Sequence, residues 1–352
     1  MHETTLIAQI EQFKLNPVLA SESICRRQTQ LFVSTHDRVA RTLLITSSGR
    51  ILMKSYAEID RLDIGVSCGQ GSEKYFAFFA KTAIAFANRP EILRFVVAVN
   101  NGADRKAFEA LSQELTLKIV EPSIPPIAEI EATLAARKLI ARSHMHGVVL
   151  NALVKGLCSE IAVIADCDIA IVRKGWDEAM YSKLNDTVAI VGSGYPRENQ
   201  VQNIAPKYRN FPNVTFCMLR TEPLRRLEID FLPVGTVQID AELARYLGRK
   251  KGETLYLDVG AQLPVKLRRA GLRGVAMPLV WPDEYAAKVL KPRQNWPKMA
   301  RLFWPHEFHL DSVVTSVHLG KSELRQLGQD EVAISWEEDV RRYIKHMGYS
   351  IN

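Results

Sequence analysis

The sequence predicts an α/β protein built on a doubly wound, mixed and mostly parallel sheet flanked by helices, with an N-terminal extension and a C-terminal helical tail. Three observations lead to this fold class. Short apolar segments alternate with longer helical ones between residues 62 and 192, as in repeated strand–helix units. The segments at residues 93–99 and 161–165 are apolar almost throughout, as parallel strands buried on both faces are. Polar or glycine-containing loops follow several of these segments.

The composition is that of a globular protein, with 47% hydrophobic and 24% charged residues among 352. These fractions exclude a disordered chain, a collagen-like fibre and a coiled-coil rod. The length predicts two domains, or one large domain with additions. The formal net charge of +7 is compatible with an anionic partner such as a nucleotide or an acidic membrane surface.

Residues 1–60 are predicted to form an N-terminal extension, in which apolar segments at 43–46 and 51–53 flank a glycine-containing turn and indicate a β-hairpin. No apolar run approaches the roughly 20 residues that span a bilayer, and acidic residues stand where a signal peptide is basic. The five cysteines contain no CxxC pair, so neither a zinc site nor a disulfide framework is indicated. We therefore expect a cytoplasmic protein, in which the glycosylation sequon Asn213-Val214-Thr215 is a chance match.

Residues 62–120 predict the order strand, helix, strand, helix, strand. The first strand, at 62–67, leads into the small-residue loop Cys68-Gly69-Gln70-Gly71-Ser72 and a helix over 73–88. The second strand, at 93–99, ends at Asn100-Asn101-Gly102. A helix over 104–115 and a strand over 117–120 complete this part, and prolines then mark a loop.

Further along, a long helical stretch is predicted over 127–157, with a break near 143–147. A buried strand over 161–165 ends at Asp166-Cys167-Asp168, and a helix over 175–185 leads to a strand over 188–191.

Beyond Gly192 the chain is basic and rich in loops. A strand at 255–257 precedes Asp258 and a helix that ends near Ala270. Ser335 and Glu338 indicate a capping box that opens a last helix over 336–347.

The most informative motif is Asp166-Cys167-Asp168, at the carboxyl end of a buried strand, where open α/β sheets bind ligands. Two carboxylates at this spacing can hold Mn²⁺ or Mg²⁺, and the metal can bridge a diphosphate. It would neutralise the charge that builds up on a nucleoside-diphosphate leaving group. The alternative interpretation is structural, with two solvated aspartates that cap the next helix.

The order of these segments resembles the core of the metal-dependent GT-A glycosyltransferases of the family 2-like kind, which use nucleotide-sugar donors. The resemblance rests on His146-Gly147 and Leu150-Asn151 before the strand, on Asp166-Cys167-Asp168 at its end, and on Gly175-Trp176 beyond it. It implies that the chain transfers a sugar from a UDP- or GDP-linked donor to a saccharide or another hydroxyl acceptor.

The resemblance also implies a domain plan. A GT-A-like catalytic domain would cover residues 62–320, with a nucleotide-sugar-binding half at 62–192 and an acceptor half at 193–320. Residues 321–352 would form a helical tail.

The same resemblance implies the site residues. Contacts to the nucleotide sugar are expected from strand and helix ends, namely Ser67, Cys68, Gly69, Asn100, Asp104, His146, Asn151 and Asp166. Asp166 and Asp168 would bind Mn²⁺ or Mg²⁺ with His318 as a third ligand, and Asp258 would be the general base on the acceptor hydroxyl. From the residues alone, a structural histidine at 318 and a helix-capping aspartate at 258 are equally good interpretations.

Two other functions stay open on the sequence. A haloacid-dehalogenase-type phosphatase also has Asp-x-Asp after a strand, but it has Thr or Val where this chain has Ala170. A catalytically silent nucleotide- or sugar-binding scaffold would place its basic residues on an anionic polymer or, peripherally, on the inner membrane surface. Nucleic acid is not expected as a partner, because basic residues are not interleaved with aromatic ones on one element.

Overall fold

The computed structural model describes residues 53–99, 103–125, 127–137, 141–194, 211–247, 249–280, 306–319, 330–346 and 348–351. Residues 43–52 of the predicted hairpin fall outside these ranges, as does Asn100.

The described strands are, in chain order, β1 (Leu62–Cys68), β2 (Leu93–Val99), β3 (Leu117–Val120), β4 (Ile161–Asp166), β5 (Ile169–Ile171), β6 (Val188–Ser193), β7 (Phe216–Arg220), β8 (Gly235–Gln238), β9 (Thr254–Leu257), β10 (Arg273–Met277), β11 (Leu279–Val280), β12 (His306–Leu310) and β13 (Val313–His318). The described helices are α1 (Glu73–Phe86), α2 (Arg105–Leu111), α3 (Ile127–Arg137), α4 (Ala141–Gly156), α5 (Trp176–Tyr181), α6 (Thr221–Arg226), α7 (Ala241–Leu247), α8 (Gln262–Arg269) and α9 (Asp330–His346).

The central sheet has seven strands in the order β10-β6-β7-β4-β1-β2-β3. Neighbouring strands are parallel except at β7, which runs antiparallel to both β4 and β6. The predicted fold class, a mixed and mostly parallel α/β sheet flanked by helices, is thus confirmed. Because β1, β2 and β4 are parallel, their carboxyl ends meet at one edge of the sheet, where such sheets bind ligands.

A second sheet, in the order β11-β12-β13-β5, is antiparallel throughout. β5 follows β4 after a two-residue turn, so the chain passes directly from the central sheet into the second one. In the pairing of β13 with β5, His318 lies opposite Ile169. This register brings residue 318 to the end of β4, across a sequence separation of 150 residues from Asp168.

Helices pack on both faces of the central sheet. α1 buries Phe76, Phe79 and Phe86, at the spacing of one helical face, and the ring of Phe76 meets that of Phe95 on β2 edge to face at 5.8 Å. On the other face α4 lies close to β1, because a Cβ at Gly65 would stand 3.0 Å from the Leu153 side chain. Alternate residues of β2 accordingly enter two separate hydrophobic clusters.

The C-terminal helix α9 packs against α1. Trp336 is buried, and its ring centroid lies 6.4 Å from that of Tyr75 and 5.6 Å from that of Phe78. Val340 and Ile344, one and two turns further along, are buried in the same cluster. α9 is therefore part of the core on the α1 face of the sheet.

Several predicted helix boundaries are wrong. α5 ends at Tyr181, four residues before the predicted end at residue 185. α4 runs without a break through Gly147. The glycine here does not interrupt the helix; its missing side chain lets the helix pack closely against the backbone at Leu232. α9 begins at Asp330, so Ser335 lies inside the helix and opens no capping box. α2 ends at Leu111, four residues before the predicted end. Local signals for helix ends are weak compared with the packing that decides where a helix runs.

Candidate metal centre

The Asp166-Cys167-Asp168 segment forms a tight turn between the two sheets. Asp166 is the last residue of β4, and its backbone N–H donates to the carbonyl of Thr215 at 2.8 Å. Asp168 precedes β5, and its carbonyl accepts from the N–H of Leu319 at 3.0 Å. Each aspartate is therefore fixed by a backbone hydrogen bond to a different sheet.

His318 completes a cluster with the two aspartates. Its Nε2 lies 3.1 Å from Oδ1 of Asp168 and 3.7 Å from Oδ2 of Asp166. One ligand atom of each residue lies within 4.8 Å of the others. The imidazole stacks on the ring of Phe308, with ring centroids 6.5 Å apart. The three side chains are thus positioned to bind a single metal ion.

The chemistry of the donor set fits a divalent transition metal. Two carboxylates and an imidazole suit Mn²⁺, whereas Mg²⁺ favours oxygen ligands alone. The side chains of Asp168 and His318 are only 4% and 11% exposed, while that of Asp166 is 24% exposed. Two ligands are therefore held rigidly, and the third faces the solvent side, from which a ligand would enter.

The cluster perturbs its own ionisation. Partial burial raises the pKa of Asp166, and the nearby imidazoles of His146 and His318 only partly offset this. Burial alone would lower the pKa of His318, but the charge and hydrogen bond of Asp168 outweigh it, so that the pKa is raised. These shifts show that the two carboxylates and the imidazole of His318 interact strongly at one site.

His146 and Ser67 extend the site toward β1 and α4. Nε2 of His146 lies 3.6 Å from Oδ1 of Asp166 and 3.5 Å from Oγ of Ser67. Ser67 is paired with Asp166 in the β1–β4 register. Both residues therefore stand at the carboxyl edge of the sheet beside the acidic turn.

The loop after β1 is held by local hydrogen bonds. The carbonyl of Gly69 accepts from the hydroxyl of Ser72 at 2.6 Å. The Cys68 thiol is buried and is hydrogen-bonded to Cys167 in the acidic turn, and this bond together with burial raises the pKa of Cys167 well above its usual range. The two cysteines therefore pack against each other where the loop after β1 meets the acidic turn.

Two of the remaining predicted nucleotide contacts, Asp104 and Asn151, make hydrogen bonds within the protein. The carboxylate of Asp104 caps α2 by accepting from the N–H of Lys106 at 3.0 Å. Both amide atoms of Asn151 are used within the protein, since Nδ2 donates to Asp230 at 2.7 Å and Oδ1 accepts from the N–H of Phe231 at 2.9 Å. Asn100 lies outside the described residues.

Asp258 follows β9 in a separate two-stranded sheet. Its Oδ1 accepts from the N–H of Val259 at 2.7 Å. Within the described ranges no hydrogen bond or ion pair joins it to the metal cluster. Its loop does approach the cluster, because a Cβ on Gly260 would lie 3.0 Å from Val214, next to Thr215.

The sequence analysis missed Thr215. Its hydroxyl hydrogen-bonds the carboxylate of Asp166, and its backbone N–H donates to Oδ1 of Asn213 at 3.0 Å. The signal was the Asn-x-Thr sequence itself, since Asn before a strand often forms such a side-chain turn. The residues that match a glycosylation sequon therefore form a turn, and this turn positions Thr215 against Asp166.

No protein-family profile and no curated protein matches this chain. Among solved structures, the chain is similar to a mannosyltransferase of Pyrobaculum calidifontis in complex with GDP-Man and Mn²⁺, at 17% identity over 64% of this chain and 57% of that one, with a TM-score of 0.41. It is also similar to S. aureus TarS in complex with UDP-GlcNAc (15% identity, 50% and 49% of the chains, TM-score 0.34). A third is glucosyl-3-phosphoglycerate synthase of Mycobacterium tuberculosis in complex with phosphoglyceric acid (12% identity, 48% and 59%, TM-score 0.31).

All three are GT-A-type glycosyltransferases, the class that the sequence resembles. The chain covers less than two thirds of each of them. Because the TM-scores lie below 0.5, we base the functional assignment on the geometry of the site. Among the described residues, no helix has the length and apolar character needed to cross a membrane.

Proposed function

We propose that the chain is a glycosyltransferase that transfers a sugar from a nucleoside-diphosphate sugar to a hydroxyl acceptor, with a divalent metal held by Asp166, Asp168 and His318. The observation that carries the proposal is this cluster, with its ligand atoms within 4.8 Å at the carboxyl edge of a parallel sheet. Mn²⁺ is the proposed ion, because an imidazole joins the two carboxylates.

When bound, the metal supplies charge neutralisation for the diphosphate leaving group. The residues of the chain hold and orient the donor. Ser67 and His146 present a hydroxyl and an imidazole next to Asp166, where they can donate hydrogen bonds to phosphate oxygens. Thr215 holds the Asp166 carboxylate in place.

In the proposed reaction the bond between the anomeric carbon and the diphosphate oxygen breaks, and its electron pair leaves with the nucleoside diphosphate. A bond forms between the anomeric carbon and the acceptor oxygen, whose proton passes to a base. Asp258 is the proposed base, since it is partly exposed on a loop that packs against the segment before Thr215. Residues 62–192 are proposed as the donor half and 193–320 as the acceptor half.

The test is calorimetric titration of the protein with UDP and with GDP, each with and without Mn²⁺. One nucleotide should bind, with an affinity that depends on Mn²⁺, and the Asp168→Asn variant should lose this dependence. Asp311→Asn is the matched control, because Asp311 is half exposed and its backbone φ of 53° is tolerated by asparagine.

Binding of neither nucleotide, or equal binding by Asp168→Asn and the wild type, would contradict the donor site. Hydrolysis of a matching nucleotide sugar then separates an enzyme from a silent scaffold. In the described part of the chain, no structural feature favours the phosphatase alternative, in which Asp166 would carry a phosphoryl group. The nucleotide titration therefore tests the binding site, and the hydrolysis assay tests the activity.

A further inference from the structure

The opposite edge of the central sheet carries a second concave site. A cavity of about 430 Å³ opens beside the amino ends of β1, β2 and β3, and is lined by Asp60, Arg61, Arg94, Phe95, Val96, Thr116, Leu117 and Lys118. It lies the length of a seven-residue strand, about 20 Å, from the metal cluster. Its volume falls within the range of small-molecule sites in proteins.

Three cationic side chains and one acidic side chain line this cavity. Arg61 is paired with the buried Asp63, so the lining together with this acid carries an excess of one positive charge. Asp63 and Arg94 are register partners on β1 and β2, and Val96 is the partner of Lys118 on β3. Paired residues on neighbouring strands point to the same face of a sheet. Arg94 and Lys118 therefore project from the same face of the sheet. α4 packs on this face and ends at Gly156, which lies against the Val96 side chain.

The nearest buried acid does not neutralise Arg94. Asp63 is fully buried, and its carboxylate accepts from Nε of Arg61 at 2.5 Å and from the N–H groups of Cys158 and Ser159 at 2.5 and 2.9 Å. Arg94 makes no hydrogen bond or ion pair with any other residue in the described part of the chain. Lys118 donates to the carbonyl of Gly156 at 3.2 Å, which leaves two of its three N–H groups for another acceptor.

We propose that this cavity binds a small molecule through a phosphate group, at a site separate from the donor site. A phosphate monoester carries close to two negative charges at neutral pH, and two cations of the lining, Arg94 and Lys118, form no ion pair within the described part of the chain. The guanidinium of Arg94 offers a planar fork for two phosphate oxygens, and the Lys118 ammonium adds a point charge. Beyond the phosphate, the volume of the cavity leaves room for a small organic group next to the exposed Thr116.

The test is calorimetric titration with inorganic phosphate and with glycerol 3-phosphate, without divalent metal and at constant ionic strength. Both should bind saturably to the wild type, and glycerol 3-phosphate binds more tightly if the organic group uses the cavity. Arg94→Ala should weaken binding about 10- to 100-fold, the effect of losing a charged hydrogen bond. Arg94→Lys keeps the positive charge but loses the planar guanidinium. Its affinity for phosphate should lie between those of the wild type and Arg94→Ala.

Two controls distinguish binding at this site from nonspecific electrostatic attraction to the protein surface and from binding at the donor site. Arg249→Ala removes an exposed arginine elsewhere on the surface and should leave binding unchanged. Asp168→Asn should also leave it unchanged, whatever its effect on nucleotide binding. If Arg94→Ala does not fold, Lys118→Met replaces it with the same expectation. Absence of saturable binding, or equal losses in Arg94→Ala and Arg249→Ala, would overturn the proposal.

Discussion

Replacing Gly147 by alanine tests how α4 positions His146. Gly147 follows His146 on this helix and meets the backbone of the next segment of the fold. A Cβ at Gly147 would lie 2.8 Å from the carbonyl oxygen of Phe231 and 2.8 Å from Cα of Leu232. Real Cβ contacts are essentially never this short, so either the helix or the segment must move.

The segment cannot yield easily. The carbonyl of Phe231 accepts from the N–H of Gly260 at 3.0 Å, and the N–H of Phe231 donates to Asn151 at 2.9 Å. Overpacking of this kind costs about 1–3 kcal/mol, against a gain of about 1 kcal/mol when alanine replaces glycine within a helix. The helix therefore gives way, and His146 moves relative to Asp166 and Ser67.

Gly156→Ala, on the same helix, is the matched control. Its Cβ would meet only side-chain methyl groups, of Val120 at 3.0 Å and of Val96 at 3.2 Å. Here the gain in helix propensity and the contact cost are of similar size. Gly147→Ala should thus be less stable than Gly156→Ala by up to about 2 kcal/mol in urea titrations.

The functional readout is the metal-dependent nucleotide affinity and the rate of donor hydrolysis. Displacing a positioning residue by a fraction of an ångström to 1 Å lowers a rate by up to about 100-fold. We expect Gly147→Ala to lose activity while Gly156→Ala retains it. Equal stability and equal nucleotide affinity in the two variants would refute the argument that Gly147 sets the position of His146.

Three further variants test the core and its charges. Tyr56→Phe should lower the free energy of unfolding by about 1.5–3 kcal/mol in urea titrations, because the Tyr56 hydroxyl donates to the fully buried carboxylate of Asp177 at 2.6 Å; a change near zero would show that the bond contributes nothing. Glu242→Gln should cost about 0.5–1 kcal/mol at neutral pH, after solvent screening. Hydrogen bonds from Arg269 lower the pKa of Glu242, so this stabilisation is complete above the ordinary carboxyl pKa and disappears as the pH falls through the folded-state pKa; a cost that persists in acid would count against it. Trp336→Ala should cost about 3–5 kcal/mol in thermal unfolding, because the indole is 4% exposed between α9 and α1, and a cost below 1 kcal/mol would show that α9 is dispensable.

Much of the fold could be predicted because its signals are local. β1, α1, β2 and β3 lie where the alternating segments indicated them, since each is a short apolar run bounded by polar or small residues. The acidic turn was also visible, because its two aspartates directly follow the apolar strand that becomes β4. These elements need no information from distant parts of the chain.

The sequence analysis missed the elements that depend on distant partners. β5 has only three residues and is a strand only because it pairs with β13. β7 lies in a stretch that reads as loop, yet it inserts between β4 and β6 and is buried on both faces. A short strand of this kind is stabilised by its neighbours rather than by its own propensity, so its sequence pattern is weak.

Side-chain roles are less predictable still, as Asn151 illustrates. The family resemblance makes this residue, which precedes β4, a predicted contact to the nucleotide sugar, whereas in the structure its amide also joins Asp230 and the backbone of Phe231 by hydrogen bonds. No local pattern distinguishes an amide that faces a ligand from one that satisfies a neighbouring backbone group. For His318, only the family resemblance indicated the position, and the β13–β5 register supplies the physical reason for it.

The metal cluster therefore depends on the relative placement of two sheets. Asp166 is fixed at the end of β4 in the central sheet, whereas Asp168 and His318 are fixed by β5 and β13 in the second sheet. The link between the sheets includes Thr82 on α1, whose buried hydroxyl accepts from the N–H of Ile171 on β5 at 3.1 Å and donates to the carbonyl of Phe79 at 2.8 Å. α1 begins directly after the loop that follows β1, so the same helix supports both the proposed donor loop and the second sheet. The position of His318, 150 residues from Asp168 in sequence, is thus set by one helix and one register, and neither can be read from the acidic motif itself.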